Sequence, residues 1–262
     1  MERVALITGA GSGLGRATAA VLAGKGYRCV LAGRREEAIR QACDEITTSG
    51  ATAQPVVADV TLPEDRARLV EHCLATFGRL DVLVNNAGIA HQAPLLAATP
   101  EDWRRVMATN LEAMFFLAQA ALPAMRDQRF GRIVNIGSIY GSLAMNAQLY
   151  APMIAADTPQ GPVRQPAYHS SKGGVLNLTR DLAAAVAPWG ITVNCISPGM
   201  FVTEQSVAVI DPEVIAALVR MTPVQRMGDP PEIGHAVAFL ASEEAAFITG
   251  IDLTVDGGWS IW

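Results

Sequence analysis

Tyr168 and Lys172 stand four residues apart in the run Tyr168-His169-Ser170-Ser171-Lys172. On a helix that spacing places both side chains on one face. Such a pair is commonly structural. A lysine ammonium beside a phenol nevertheless favours the phenolate, so the pair predicts a tyrosine pKa drawn down towards working pH. A phenol tuned this way gives and takes a proton at the oxygen of an alcohol or a ketone. The complementary feature lies near the other end of the chain, in Thr8-Gly9-Ala10-Gly11-Ser12-Gly13-Leu14-Gly15. A strand-type run precedes it and an Ala-rich helical pattern follows, the setting in which a glycine turn cradles a diphosphate at a helix N-terminus. Gly9 permits the tight turn, Gly13 lets the backbone approach phosphate, and Gly15 lets the helix pack on the sheet. No Gly-Lys-Ser/Thr follows, which argues against a P-loop. Loop and pair together describe a redox site, with a bound nicotinamide carrying hydride while Tyr168 handles the proton.

The elements that must position these residues alternate. Apolar β-type runs cover residues 3–8, 28–32, 52–57, 81–85, 131–138, 191–196 and 251–255. Helical patterns cover 14–24, 36–49, 63–77, 100–125, 167–187 and 230–242. Strands separated by helices imply right-handed crossovers. The predicted fold is α/β: a Rossmann-type doubly wound parallel sheet of about seven strands with helices on both faces. Residues 1–262 read as one dinucleotide-binding and catalytic domain. Two stretches break the rhythm, 140–166 and 200 to about 223, and long irregular segments in a compact domain are usually functional.

Composition narrows the function. Half of the 262 residues are hydrophobic, 17% are charged and the net charge is -5, with no basic block. Nucleic acid and anionic membrane surfaces are therefore not expected partners. Cys29, Cys43, Cys73 and Cys195 are scattered without a Cys-x-x-Cys pair, so reduced thiols and no metal are expected. His72, His91, His169 and His235 are equally dispersed. No run approaches the ~20 apolar residues of a membrane span. The chain enters a strand at once, so no signal peptide and a cytoplasmic location are expected.

With these motifs in order, the chain resembles the short-chain dehydrogenase/reductase family of the single-domain type, along essentially its whole length. Thr8 to Gly15 matches the cofactor loop, and Asp59-Val60 the pair that contacts adenine. Asn85-Asn86-Ala87-Gly88 matches the motif closing the fourth strand. Asn110, Ser138, Tyr168 and Lys172 match the catalytic tetrad, and Pro198-Gly199 with Thr203 the segment over the nicotinamide. The resemblance implies that Tyr168 is the general acid in reduction and the general base in oxidation. Lys172 holds the ribose hydroxyls and lowers the Tyr168 pKa. Ser138 orients the substrate oxygen, and Asn110 holds a water linking Lys172 to solvent. His91 is expected at the pocket mouth, and Tyr150 and Met200 beside the substrate. His169 points about 100° away from Tyr168 on the helix and is not expected to act as a base. Met107, Met114, Phe115 and Phe116 are expected in helix core or a subunit face.

The chain departs from the family in one place. Ser138 and Tyr168 stand 30 positions apart, where the family usually keeps them much closer. The excess, residues 141–166, carries Asn146, Gln148, Tyr150, Asp157 and Arg164 with Pro152, Pro159, Pro162 and Pro166, so it cannot be one helix. It reads as an added wall or lid, with Leu143, Met145, Leu149, Tyr150, Met153 and Ile154 facing the substrate. Met200, Phe201, Val202, Val207, Val209 and Ile210 extend the cover, so a mostly apolar pocket is expected. The tail from Gly258 to Trp262 is the competing cover.

The expected activity is an NAD(P)-dependent oxidoreductase interconverting a secondary alcohol and a ketone. The alternatives are a nucleotide-sensing regulator without turnover and a dehalogenase-like relative. NADP(H) is favoured, with NAD(H) left open. Gly33-Arg34-Arg35 stands where an Asp or Glu would select NAD(H), and Arg34 offers a fork to a 2′-phosphate. Ser12, Glu36 and Glu37 are the counter-signals. A homo-oligomer, a tetramer by resemblance, is expected through residues 103–125, 167–187 and 233–255.

Overall fold

In the computed structural model, the residues described are 2–151, 153–155, 157–203 and 210–261. Pro152, Val207, Val209 and Trp262 lie outside them. Seven strands form one parallel sheet: β1 (Val4–Thr8), β2 (Arg28–Gly33), β3 (Ala53–Val57), β4 (Val82–Asn85), β6 (Gly131–Ile136), β8 (Ile191–Pro198) and β9 (Asp252–Val255). The sheet order is β3-β2-β1-β4-β6-β8-β9. The chain winds outward from β1 to β3, then returns to start β4 on the other side of β1. That reversal opens a crevice at the carboxyl ends of β1 and β4, where doubly wound sheets bind ligands.

The strands are apolar because both sheet faces are covered. Every residue of β1, β4, β6 and β8 is buried. One face carries α1 (Gly13–Gly24), α2 (Glu36–Thr48) and α8 (Pro230–Leu240), packed through Leu22, Ile39 and Ile233. The other carries α3 (Pro63–Phe77), α5 (Ala113–Gln128) and α6 (Pro166–Val186), packed through Leu69, Leu117 and Leu182. Buried amides join the two layers that carry the tetrad. Asn85 Nδ2 donates to Asn135 Oδ1 at 2.9 Å, and Asn135 Nδ2 donates to Thr179 Oγ1 of α6 at 3.0 Å.

Three features correct the sequence reading. The helix expected over 100–125 is interrupted: α4 (Pro100–Met107) and α5 flank a π-helical turn at Ala108–Glu112. Such turns often mark functional positions, and this one presents the buried Asn110. The segment read as irregular over 200–223 contains a helix, α7 (Pro212–Met221). Asp211 caps it by accepting the Glu213 N–H at 2.8 Å, with Pro212 in its first turn. Val214 and Leu218, four apart, are buried. The 141–166 insert forms a 3-10 turn at Ala147–Tyr150 and a short strand β7 (Val163–Arg164), antiparallel to β5 (Ala93–Pro94). The insert therefore returns to the body of the protein beside α4.

Candidate active site

The glycine turn is shaped by backbone contacts that only hydrogen tolerates. Gly9 and Gly13 have φ of +64° and +54°, the left-handed region that glycine occupies freely. A Cβ on Gly15 would lie 2.4 Å from both the Gly9 carbonyl oxygen and Asn86 Nδ2. Gly15 thus makes room for the loop and Asn86, where close packing on the sheet had been expected. Asn86 Nδ2 donates to the Thr8 and Gly9 carbonyls at 2.8 and 3.2 Å. Thr8 Oγ1 in turn accepts the Asn86 and Ala87 N–H groups at 3.0 Å each. The end of β4 is stitched to the end of β1, which holds the loop open above α1. Thr8 was read as the start of the cofactor loop, without this bonding role.

From this loop runs a cleft of about 630 Å³, along the carboxyl ends of the strands to Ser138, Tyr168 and Lys172. Gly9, Ser12, Gly13 and Leu14 line one side. Asn86, Ala87 and Gly88 line the floor, and Pro198, Gly199 and Thr203 line the far wall. Arg34, Asp59 and Val60 line the end next to β2 and β3. Asp59 Oδ1 accepts the Thr61 N–H and hydroxyl at 2.9 and 2.7 Å, which fixes this turn. Arg34 is exposed, 4.0 Å from Asp59 Oδ2. Arg35 also lines the cleft, and its Nη2 donates to Ser12 Oγ at 2.9 Å. Sequence reading named Arg34 alone and set Ser12 against the 2′-phosphate. The structure brings a second guanidinium to that serine.

At the other end the tetrad converges. Ser138 ends the loop after β6, where its Oγ accepts the Tyr140 N–H at 3.1 Å. Ser138 and Tyr168 both line this end of the cleft. Lys172 lies one helical turn beyond Tyr168 on α6, buried, with Nζ donating to the Ile136 carbonyl at 2.7 Å. Its Nζ is 5.7 Å from the centre of the Tyr168 ring. Asn110 clamps the Ile89 peptide, accepting its N–H at 2.8 Å and donating to its carbonyl at 2.9 Å. It also donates to Ser171 Oγ at 3.1 Å. A Cβ on Gly88 would lie 3.4 Å from Asn110 Oδ1 and 3.7 Å from Lys172 Nζ. Both polar atoms therefore border the same small space.

The electrostatics correct one expectation. The Tyr168 phenol is held above its ordinary pKa, chiefly by burial, with the Ser138 hydrogen bond pulling the other way. Lys172 is not among the groups that lower it here, and its Nζ donates to the Ile136 carbonyl. Burial pushes Lys172 itself down to about 8, because a charge taken from water is disfavoured.

Part of the insert packs back beside the loop that carries Ser138. Tyr150 reaches back so that its hydroxyl lies 2.7 Å from that of Tyr140, and 3.8 Å from Met200 Sδ. Burial raises both phenols' pKa values, and Tyr150 raises that of Tyr140 further. Met145, Ile154 and Phe201 are buried, while Met153 and Val202 are exposed. His91 stands apart from the cleft: its Nε2 is 3.3 Å from Asp102 and its Nδ1 3.3 Å from Arg105. It lines a separate cavity with Arg164. His169 Nδ1 is 2.8 Å from the Gln165 carbonyl. Its ring packs 4.8 Å from that of Tyr140.

The cradle fits a dinucleotide on its own terms: a glycine turn closed to side chains, a helix N-terminus, two guanidiniums at one end and a buried lysine at the other. Comparison with known proteins agrees. The family model described as Enoyl-(Acyl carrier protein) reductase matches residues 9–260. The 3-oxoacyl-[acyl-carrier-protein] reductase FabG of Vibrio cholerae serotype O1 is 37% identical over 256 residues, covering 98% of this chain and 96% of the relative. The FabG of Escherichia coli strain K12 is 36% identical over 256 residues, with the same coverages. Among solved structures, a putative gluconate dehydrogenase from Agrobacterium tumefaciens superposes with a TM-score of 0.87. It is 35% identical and covers 98% of this chain and 95% of that one. Gox2181 superposes with a TM-score of 0.89 at 33% identity, covering 100% and 96%.

The chain belongs to the short-chain dehydrogenase/reductase family. It is an NAD(P)-dependent oxidoreductase of the short-chain alcohol dehydrogenase and ketoreductase class. The matched relatives are named reductases and dehydrogenases, which favours turnover over the sensing and dehalogenase alternatives. Among the described residues no helix is long and apolar enough to cross a membrane, and no group of three or more His, Cys, Asp or Glu is placed to hold a metal.

Proposed function

We propose that the protein reduces a small-molecule ketone, and oxidises the matching secondary alcohol, at the Ser138–Tyr168–Lys172 end of the cleft. The convergence of Ser138, Tyr168 and the buried Lys172 at one end of the cleft carries this reading. A substrate oxygen placed between the two hydroxyls is held by Ser138 and receives the Tyr168 proton as hydride arrives at carbon. The bound nicotinamide nucleotide supplies or accepts that hydride. Lys172, one turn from Tyr168, grips the nucleotide's ribose and adds positive charge where phenolate forms. Asn110 keeps the Ile89 peptide and α6 in register and borders the space next to Lys172. One domain, residues 1–262, serves both binding and chemistry.

NADP(H) is the favoured nucleotide. Arg34 is exposed at the end of β2, and Arg35 is already bonded to Ser12. Two forks at one place suit a 2′-phosphate, and no carboxylate at the strand end selects a ribose diol. Tyr150 and Met200 frame the carbonyl's substituents, with the Tyr140–Tyr150 pair offering a hydroxyl to a second substrate oxygen. The names of the relatives point to 3-oxoacyl and sugar-acid chemistry, both of which place further oxygens near the reacting carbon.

The working form is a homo-oligomer, and a tetramer is the reading the surfaces favour. β9 is the edge of the sheet, with unpaired backbone groups that proteins usually cover. Phe247 and Ile251 are exposed just before it, Phe239 is exposed on α8 and Phe116 on α5. Turnover of a ketone and alcohol panel with both nucleotides tests the activity. Absence of nucleotide-dependent turnover across 3-oxoacyl, sugar-acid and simple secondary alcohols would overturn it.

A further inference from the structure

Beside the cleft lies a second cavity of about 280 Å³, near the lower end of ligand-sized pockets. Four pieces of chain enclose it: the loop after β4, the start of α4, β7 of the insert and the start of α6. It shares a wall with the cleft. Ala90 and Tyr168 face the cleft, and their chain neighbours His91 and Ala167 face the cavity. Most of the lining is apolar, led by Trp103, Pro100 and Ala98.

Three ionisable groups reach the cavity, and two are spoken for. Asp102 accepts the Thr99 hydroxyl at 2.7 Å and an Arg105 N–H at 3.0 Å, and lies 3.3 Å from His91. His91 is shared between Asp102 and Arg105. Arg164 differs. Its Nη1 is buried and has no hydrogen-bond partner among the described residues. A guanidinium cannot neutralise itself by losing a proton, and a buried N–H without an acceptor is costly. The pairing of β7 with β5 fixes the Arg164 backbone opposite Ala93. The cavity thus joins apolar walls to the Arg164 guanidinium, carried on a paired strand, whose Nη1 is closed off from solvent and has no acceptor among the described residues.

We propose that this cavity binds a small organic monocarboxylate, with its carboxylate on Arg164 and its apolar body against Trp103, Pro100 and Ala98. A planar carboxylate matches the guanidinium fork. A doubly charged phosphate fits less well, because Asp102 faces it and the apolar walls gain nothing from it. The site stands independently of the hydride-transfer reading. Its ligand lies against the first turn of α6, which carries Tyr168.

Benzoate is a suitable probe, with benzamide as its uncharged counterpart and inorganic phosphate as a second control. Binding to the full chain is followed by calorimetry and ligand-observed NMR, with and without saturating NADP+. Benzoate is expected to bind at millimolar concentration or below, with and without NADP+, and phosphate not to compete. Arg164→Met should weaken it at least about tenfold, the scale of a lost charge-assisted pair, and benzamide should bind about tenfold worse. Arg164 holds its strand through backbone, so the variant should fold. Ala98→Leu, which fills the cavity and leaves the charge, is the second variant and should also abolish binding while NADP+ affinity stays unchanged. Equal affinity of wild type and Arg164→Met, equal affinity for benzamide, displacement by NADP+, or no binding at all would each overturn the assignment.

Discussion

Replacing Lys172 with Met should make the nucleotide-free protein more stable at neutral pH while abolishing its activity. Lys172 is buried and its pKa is pushed from 10.5 down to about 8. Below pH 8 the folded protein therefore carries a charge that is cheaper to hold unfolded. The difference of about 2.5 units corresponds to about 3 kcal/mol at pH 7, an order-of-magnitude figure. Losing the Ile136 hydrogen bond returns about 1 kcal/mol, which leaves a net gain near 2 kcal/mol. The sign follows from linkage. Between pH 8 and 10.5 the unfolded chain binds more protons than the folded one, so wild-type stability rises with pH through that window. The variant lacks this contribution, so its advantage should shrink by roughly 2 kcal/mol between pH 7 and 10. The neighbouring Cys195 thiol is pushed up to about 12 by burial and does not titrate in this window. Urea unfolding at both pH values and one fixed protomer concentration measures the difference. A variant no more stable than wild type at pH 7, with a gap that does not change by pH 10, would refute the buried-charge account.

Further outcomes follow from the same geometry. Tyr168→Phe should fold, bind nucleotide and lose about 100-fold or more in kcat, the scale of a general acid-base; near-normal kcat ends the proposed mechanism. Arg34→Ala and Arg35→Ala should each raise the KM for NADP+ about tenfold and leave NAD+ almost untouched, and equal losses for both nucleotides would show that neither arginine reads the 2′-phosphate. Gly15→Ala drives a Cβ to 2.4 Å from Gly9 O, so it should weaken nucleotide binding and cost about 1–3 kcal/mol in stability; wild-type Tm and nucleotide affinity together would contradict it. Shortening the insert by removing residues 143–164 should preserve nucleotide affinity and lower kcat/KM about tenfold for part of a ketone panel, whereas an unchanged panel would reduce the insert to a surface loop.

The sequence disclosed the sheet because its strands are buried on both faces, and an unbroken apolar run is the mark of that burial. The seven strand positions therefore agree with the structure to within a residue or two at most ends. What it hid was set by tertiary context. The π-helical turn at Asn110 has no local composition to announce it, since Ala108 to Glu112 would continue a helix well. α7 was concealed by its neighbours: a short helix after an apolar loop reads as more loop, although Asp211, Pro212 and the Val214–Leu218 spacing mark its start and face. Arg35 illustrates a further limit. Two adjacent arginines in sequence gave no reason to send the second towards Ser12, 23 residues earlier, and only the packing of β2 against the glycine turn brings them together.

The Tyr168–Lys172 pair shows how spacing can be right and its energetic reading wrong. Four residues on α6 do place both groups at the cleft, so the geometry was legible. The expected lowering of the phenol pKa assumed that the ammonium points its charge at the phenol. In the structure Lys172 spends its hydrogen bond on the Ile136 carbonyl, while burial acts on both groups and opposes the charged form of each. Burial keeps the Tyr168 phenol neutral, while Lys172, at about 8, still carries its charge at neutral pH. Moving a proton off Tyr168 then draws on the Lys172 charge, 5.7 Å from the ring centre, and on donors that arrive with the reactants. Ser138 pulls the phenol pKa down, and an oxidised nicotinamide, if bound in the cleft, would add positive charge.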